Sequence, residues 1–231
     1  MHTAEPRFFR IAAVMADPTR ARMLAALLGG EHRSAGELAS VAGVTAQAAS
    51  TQLAQLVDSG LVGVRQQGRH KYFALADAEV AHALVALSLV AERDQVSARW
   101  QRPAYQPFKQ ARRCYSHLAG ELGVAQFDML MRCGHLQNDR QHPAQGMQLT
   151  ETGHAWAAQM GLSLPRTSSA RFAYPCLDWS ERRDHLAGAL SRALLEHYLA
   201  RHWFTTGAES RALKLTPKGE RELLPLLADT P

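Results

Sequence analysis

Two groups of residues in this chain combine types and spacings that can do chemistry. The first is Thr45, Gln47, Ser50, Thr51 and Gln52, followed a short way on by Arg65, Arg69, His70 and Lys71. A glutamine amide can make paired hydrogen bonds to an adenine edge, and serine or threonine hydroxyls suit phosphate oxygens. The basic residues add the other term, because each phosphate neutralised releases counterions. The second group is Cys114, His117 and Cys176, with Cys133 or His135 as further donors and Trp179 close by in sequence. Thiolate and imidazole together suit a soft metal. A thiol flanked by Arg112 and Arg113 suits a redox switch instead.

For the first group to act on a duplex it must lie on a helix and a hairpin. Asp17-Pro18-Thr19 is a helix start, with Asp17 able to cap and Pro18 suited to the first helical position. Ser34 to Glu37 is a capping-box pattern, and Gly43 ends the short helix it begins. Thr45 caps the next helix, expected to run to about Ser59. At 100° per residue, Ala49, Leu53 and Leu56 share one side, while Gln47, Ser50, Thr51 and Ala54 share the other. One face packs and the other is polar but uncharged. Beyond Gly60, LVGVRQ and KYFAL flank a basic turn and read as a hairpin. A long apolar helix follows from about Asp77 to Glu92.

Bulk properties narrow the classes. A chain of 231 residues, 46% of them hydrophobic, can bury a core in one large domain or two small ones. No run is long enough to span a bilayer, so no membrane partner is expected and the cytoplasm is the expected location. Three widely spaced cysteines make no disulfide framework. The net charge of +5 favours polyanionic partners. No phosphate-cradling glycine loop, nucleophile elbow or dinucleotide fingerprint appears, so no enzyme, catalytic residue or bound cofactor is expected.

Capped helix, short turn, second capped helix and basic hairpin, in that order, make a winged helix-turn-helix. ADPTRARMLAALL, ELASVAGVTAQAASTQLAQLVDSGLV and VGVRQQGRHKYFAL together resemble the ArsR/SmtB family of bacterial transcriptional repressors over roughly residues 8 to 92. The resemblance implies a homodimer formed through the N-terminal helix and the helix after the wing. It also implies double-stranded DNA as partner, and repression relieved by an effector. The cysteine pair of metal-sensing members is absent from Ser34 to Ala39, and Asp77, Glu79 and His82 lack the further ligands of a dimer-helix site. The usual metal sites are therefore not expected. A winged helix that docks on proteins is the alternative reading.

The expected organisation is a DNA-binding and dimerisation domain over 1–95, a linker over 96–110 around RWQRPAYQPF, and a C-terminal effector or dimer-support domain over 111–231. That last domain repeats itself. HLAGELGVAQFDMLMRCGHL at 117 to 136 aligns with HLAGALSRALLEHYLARHWF at 185 to 204, and LTETG at 149 with LTPKG at 215. The duplicated unit reads as helix, turn, strand and helix, winged-helix-like and mainly α, with each LTxxG ending a strand and capping a helix. Cys-Tyr-x-His-Leu-Ala-Gly from Cys114 and Cys-Leu-Asp-Trp-Ser-Glu-Arg-Arg from Cys176 resemble motifs of long ArsR-like regulators, which brings no effector with it. On a helix, Cys114 and His117 would face the same way. Buried packing, a soft-metal or redox effector, and a small-molecule pocket near Trp179 all stay open for them.

Overall fold

The structure is a computed structural model that describes residues 8–91, 102–139, 146–165, 171–207 and 210–228. The chain divides into two units, residues 1–84 and 85–231.

In the first unit, local chemistry sets each helix start. Helix α1 is Phe8–Met15, and α2 (Pro18–Leu27) begins where Asp17 accepts hydrogen bonds from the Thr19 and Arg20 amides. Strand β1 (Arg33–Ser34) leads into α3 (Ala35–Ala42), opened by the full Ser34–Glu37 capping box. Gly43 ends α3 at φ +68°, a left-handed conformation that glycine adopts without a Cβ penalty. Thr45 then caps α4 (Ala46–Asp58) through the Ala48 amide. Strands β2 (Val62–Gln67) and β3 (His70–Leu75) form an antiparallel hairpin, and β1 joins the free side of β3. Helix α5 (Ala78–Ala91) follows, with Asp77 accepting from the Val80 amide. The core of this unit includes Leu24, Leu27, Leu38, Leu53, Leu56 and Phe73.

Residues 96–101 of the expected linker lie outside the described residues. Its remainder is not a linker: Pro103–Tyr105 is a 3₁₀ turn and α6 is Gln106–Gln110. Pro103 and Pro107 sit in first turns, where no backbone donor is needed, and α6 packs on the elements that follow.

The second unit contains the duplication, and each repeat holds two hairpins where the sequence reading expects one strand. Repeat one runs β4 (Arg112–Cys114), β5 (His117–Ala119), α7 (Glu121–Arg132), β6 (Leu136–Asn138), β7 (Met147–Leu149) and α8 (Glu151–Gln159). Repeat two runs β8 (Tyr174–Leu177), β9 (Asp184–Ala187), α9 (Ala189–Ala200), β10 (Phe204–Thr206), β11 (Leu213–Leu215) and α10 (Pro217–Ala228). Each repeat is hairpin, helix, hairpin, helix. The segment HLAG, expected to begin a helix, is strand in both copies, and the helix starts only after Gly120 or Gly188. Both glycines have left-handed φ, and a Cβ on either would meet a carbonyl oxygen at 2.4 or 2.6 Å, so the chain turns there rather than continuing as helix.

The LTxxG expectation holds in both copies. Thr150 and Thr216 accept from the amides of Gly153 and Gly219, while their own hydroxyls donate to the Gly134 and His202 carbonyls. The two repeats also exchange partners. The Leu213 amide of repeat two donates to Ala111 O just before β4, and the Met147 amide of repeat one donates to Ala173 O just before β8. Helix α7 packs on β9 while α9 packs on β5. One core that includes Leu118, Leu130, Leu186, Leu190, Leu194 and Trp203 runs through both repeats.

Candidate functional site

The first candidate site is the outer face of α4 with the wing. Burial of Ala49, Leu53 and Leu56, each 1% exposed or less, fixes how α4 is rotated. That rotation leaves Gln47, Ser50 and Thr51 exposed. The hairpin places Arg65 opposite Tyr72 and Gln67 opposite His70, with Gly68 and Arg69 as its two-residue turn. Arg65, Arg69, His70 and Lys71 are all exposed there, and the Arg69 Nε donates to the His70 ring at 3.4 Å.

Four of the expected readers are engaged within the chain. The Thr45 hydroxyl is occupied as the cap. Ser50 and Thr51 donate their protons back to the Ala46 and Gln47 carbonyls, so donating to a phosphate requires each hydroxyl to rotate. Gln52 is half-buried, and its Oε1 accepts from Arg20 Nη1 at 2.7 Å. Arg20 also holds Gln55 Oε1 at 2.6 Å and donates through Nε to the Val14 carbonyl. Sequence reasoning missed Arg20, because its partners lie 32 and 35 residues away with no spacing that announces them. Gln47 remains the exposed amide on the face.

The second candidate site lies in the second unit, and here the geometry differs from expectation. Cys114 and His117 are not on a helix: they are directly paired across β4 and β5. Cys176 and His185 are paired in the same way across β8 and β9. The two hairpins pack together, so Cys114, His117, Cys176 and His185 present ligand atoms all within 4.8 Å of one another, and all four residues are buried. The two imidazole Nε2 atoms are 3.0 Å apart. His185 was absent from the sequence reading, although the alignment of HLAGEL with HLAGAL sets it opposite His117.

The electrostatics around this cluster are unequal. The Cys114 thiol is held well below its ordinary value, first by the hydrogen bond from Cys176 and, against the cost of burial, by His117 and His185. Cys176, the donor of that bond and itself buried, is pushed far up. Behind His185, Asp178 Oδ2 lies 3.4 Å from Nδ1, close but without the alignment of a hydrogen bond. Burial raises the Asp178 pKa, but the Arg112 and His185 charges and the hydrogen bonds from the Gly120 amide and Ser180 together bring it below the ordinary value. Arg112, 1% exposed, donates to Asp178 and Ser180. Its guanidinium is thereby engaged by Asp178.

Trp179, at 9% exposure, covers the Arg112 guanidinium at 4.6 Å. Cys133 and His135 are not part of the cluster; they line a separate cleft of about 530 Å³ with Trp156, Trp203 and Glu222. Among the described residues no helix is long and apolar enough to cross a membrane.

A capped helix-turn-helix, a three-stranded sheet with a basic wing, and a duplicated second unit define a winged helix-turn-helix protein with an extended C-terminal region. Residues 15–65 match the family described as a helix-turn-helix domain. Over 217 residues, 93% of this chain and 94% of the relative, the chain is 33% identical to an uncharacterized HTH-type transcriptional regulator, YdfF, of Bacillus subtilis (strain 168). It is 39% identical over 94 residues, 39% of this chain and 79% of the relative, to the HTH-type transcriptional regulator CmtR of Mycobacterium tuberculosis (strain ATCC 25618 / H37Rv). A solved winged helix-turn-helix DNA-binding domain from Mycobacterium bovis, described as homodimeric, is 25% identical with a TM-score of 0.36, covering 41% of this chain and 94% of that one. The chain belongs to the HTH-type transcriptional regulators, and the match to the Bacillus relative spans both units.

Proposed function

We propose that the chain is a homodimeric repressor that occupies an imperfectly palindromic operator. The observation that carries this reading is the exposed, uncharged face of α4, led by Gln47, on the same unit as the basic tip at Arg69, His70 and Lys71. Such a face lets backbone and short side chains approach base edges, while the tip supplies phosphate contacts. Dimerisation is supported by Phe8 and Phe9 on α1, 75% and 62% exposed, and by Leu87 and Val90 on α5, 50% and 56% exposed. Apolar side chains of that size gain by meeting a second surface. Two copies of α4 would enter successive major grooves roughly 34 Å apart. A repressor of this kind works in the cytoplasm, and an effector would release it.

The test is a fluorescence-anisotropy titration of the full chain against DNA from upstream of its own coding sequence, beside a scrambled duplex, at two salt concentrations. Gln47→Ala is expected to cost about 1–3 kcal/mol on the operator and little on scrambled DNA. Lys71→Ala is expected to weaken both and flatten the salt dependence. Equal losses on both duplexes for Gln47→Ala would remove its reading role.

A further inference from the structure

We propose that Cys114, His117, Cys176 and His185 form a closed, four-ligand site for a zinc-class divalent cation, held between the β4–β5 and β8–β9 hairpins and tying the two repeats together. The donor set comes first. Two thiols and two imidazoles are the borderline-soft combination that suits this ion class, and their donor atoms converge within 4.8 Å. A tetrahedral ion with bonds of roughly 2.0–2.3 Å needs its ligand atoms roughly 3.3–3.8 Å apart. The 3.0 Å between the two imidazole nitrogens lies close to that edge length, and the remaining separations need only small side-chain rotations.

The way the site is built is the second observation. Each hairpin contributes one directly paired cysteine and histidine, which is half of a tetrahedron and too few ligands to hold an ion alone. The pairing of repeats brings the halves together, so the centre exists only between them. The outer surroundings match a metal site as well. Asp178 Oδ2 stands 3.4 Å behind His185 Nδ1, where a small ring rotation would let it accept the Nδ1 proton and orient Nε2 toward a metal, and it is itself fixed by Arg112, Ser180 and the Gly120 amide.

Burial decides the role. His117 and His185 are 2% and 1% exposed, Cys114 and Cys176 4% and 7%, and all four ligand positions come from the protein. No position is left for water or substrate, so the ion cross-links and does not catalyse. Because binding draws ligands from both repeats, the ion contributes to folding of the second unit. None of this depends on what the first unit binds.

The experiment uses the full chain, expressed without a polyhistidine tag and purified with a reductant. Metal content is measured by mass spectrometry, the ion is removed with a chelator, and Co(II) is titrated in, followed by Zn(II). The expected result is stoichiometric zinc as purified, and with Co(II) the intense visible bands and thiolate charge-transfer absorption of a tetrahedral mixed sulfur and nitrogen site, bleached by Zn(II). Cys176→Ser should abolish the charge-transfer signature, and Cys133→Ser should leave it unchanged. Since Cys176→Ser can fail through misfolding, His117→Cys provides a second arm: a ligand at that position gives a more intense charge-transfer band. A folded wild-type chain that holds no zinc and gives only the spectrum of hydrated Co(II) overturns the proposal. So does a Cys114–Cys176 disulfide that persists in reductant, or a His117→Cys spectrum identical to wild type.

Discussion

The two repeats of the second unit share every element and exchange the same backbone bonds, yet they treat their hairpins differently. Repeat one joins β4 to β5 through only Tyr115 and Ser116, whereas repeat two adds the pair Leu177–Asp184 and a six-residue loop, 178–183. That extra length carries Asp178, Trp179 and Ser180, which between them hold Arg112 and the Gly120 amide of repeat one. Duplication thus supplies two equal half-sites, and one insertion supplies the polar clamp for both.

The comparison can be broken most sharply at Asp178. Asp178→Ala leaves Arg112 buried without its countercharge and is expected to cost about 3–5 kcal/mol. Urea unfolding followed by tryptophan fluorescence measures this, since all four tryptophans lie beyond residue 84. A loss below ~1 kcal/mol would mean the clamp is not one-sided. Next come the equivalent glycines. A Cβ at Gly153 would sit 2.1 Å from the His135 oxygen and one at Gly219 2.3 Å from the Trp203 oxygen. Gly153→Ala and Gly219→Ala should therefore each cost at least ~1–3 kcal/mol, and by similar amounts. Unequal costs would show that one repeat relaxes where the other cannot.

The caps should behave as twins at a smaller scale. Thr150→Ala and Thr216→Ala each remove the equivalent pair of hydrogen bonds, Thr150→Ala also removing the one shared with Thr152, and about 1 kcal/mol is expected from either in the same unfolding assay. The smallest effect has the opposite sign. His202 occupies a left-handed backbone, φ +58°, where repeat one has Gly134 at φ +66°. His202→Gly should therefore stabilise by about 0.5–1 kcal/mol, and a loss instead would show that the His202 side chain contributes more than its strain costs.

These differences bear on what the sequence makes visible. In the first unit the starts of α2, α3 and α4 are legible, because Asp17, Ser34 and Thr45 act on amides two or three residues away. The wing is legible for the same reason, since its turn is local. Engagement of Gln52 by Arg20 is not, because it depends on how α2 and α4 pack. In the second unit the duplication is legible from two aligned segments, but HLAG reads as helix when it is strand. Three-residue strands are too short to show a period of two, and Leu118, Ala119 and Leu122 fit a helical face equally well. Carrying the alignment through would have set His185 opposite His117, but at that offset Cys114 falls opposite Arg182, because the hairpin of repeat two is six residues longer and displaces Cys176. What no spacing reveals is that the four converge, because that depends on the hairpins meeting.

Arg20 joins three elements of the first unit, since it donates to the Ala13 and Val14 carbonyls at the end of α1 and to Gln52 and Gln55 on α4. Freeing the Gln52 carbonyl for another partner requires the guanidinium to let go, and whatever shifts α1 changes how firmly it is held. Occupancy of α4 and the position of α1 are thereby linked through one side chain, and linkage is reciprocal. On the proposed function, an effector or a second copy that moved α1 would alter affinity at α4 by a given factor, and a ligand gripping Gln52 would alter the grip on α1 by that same factor.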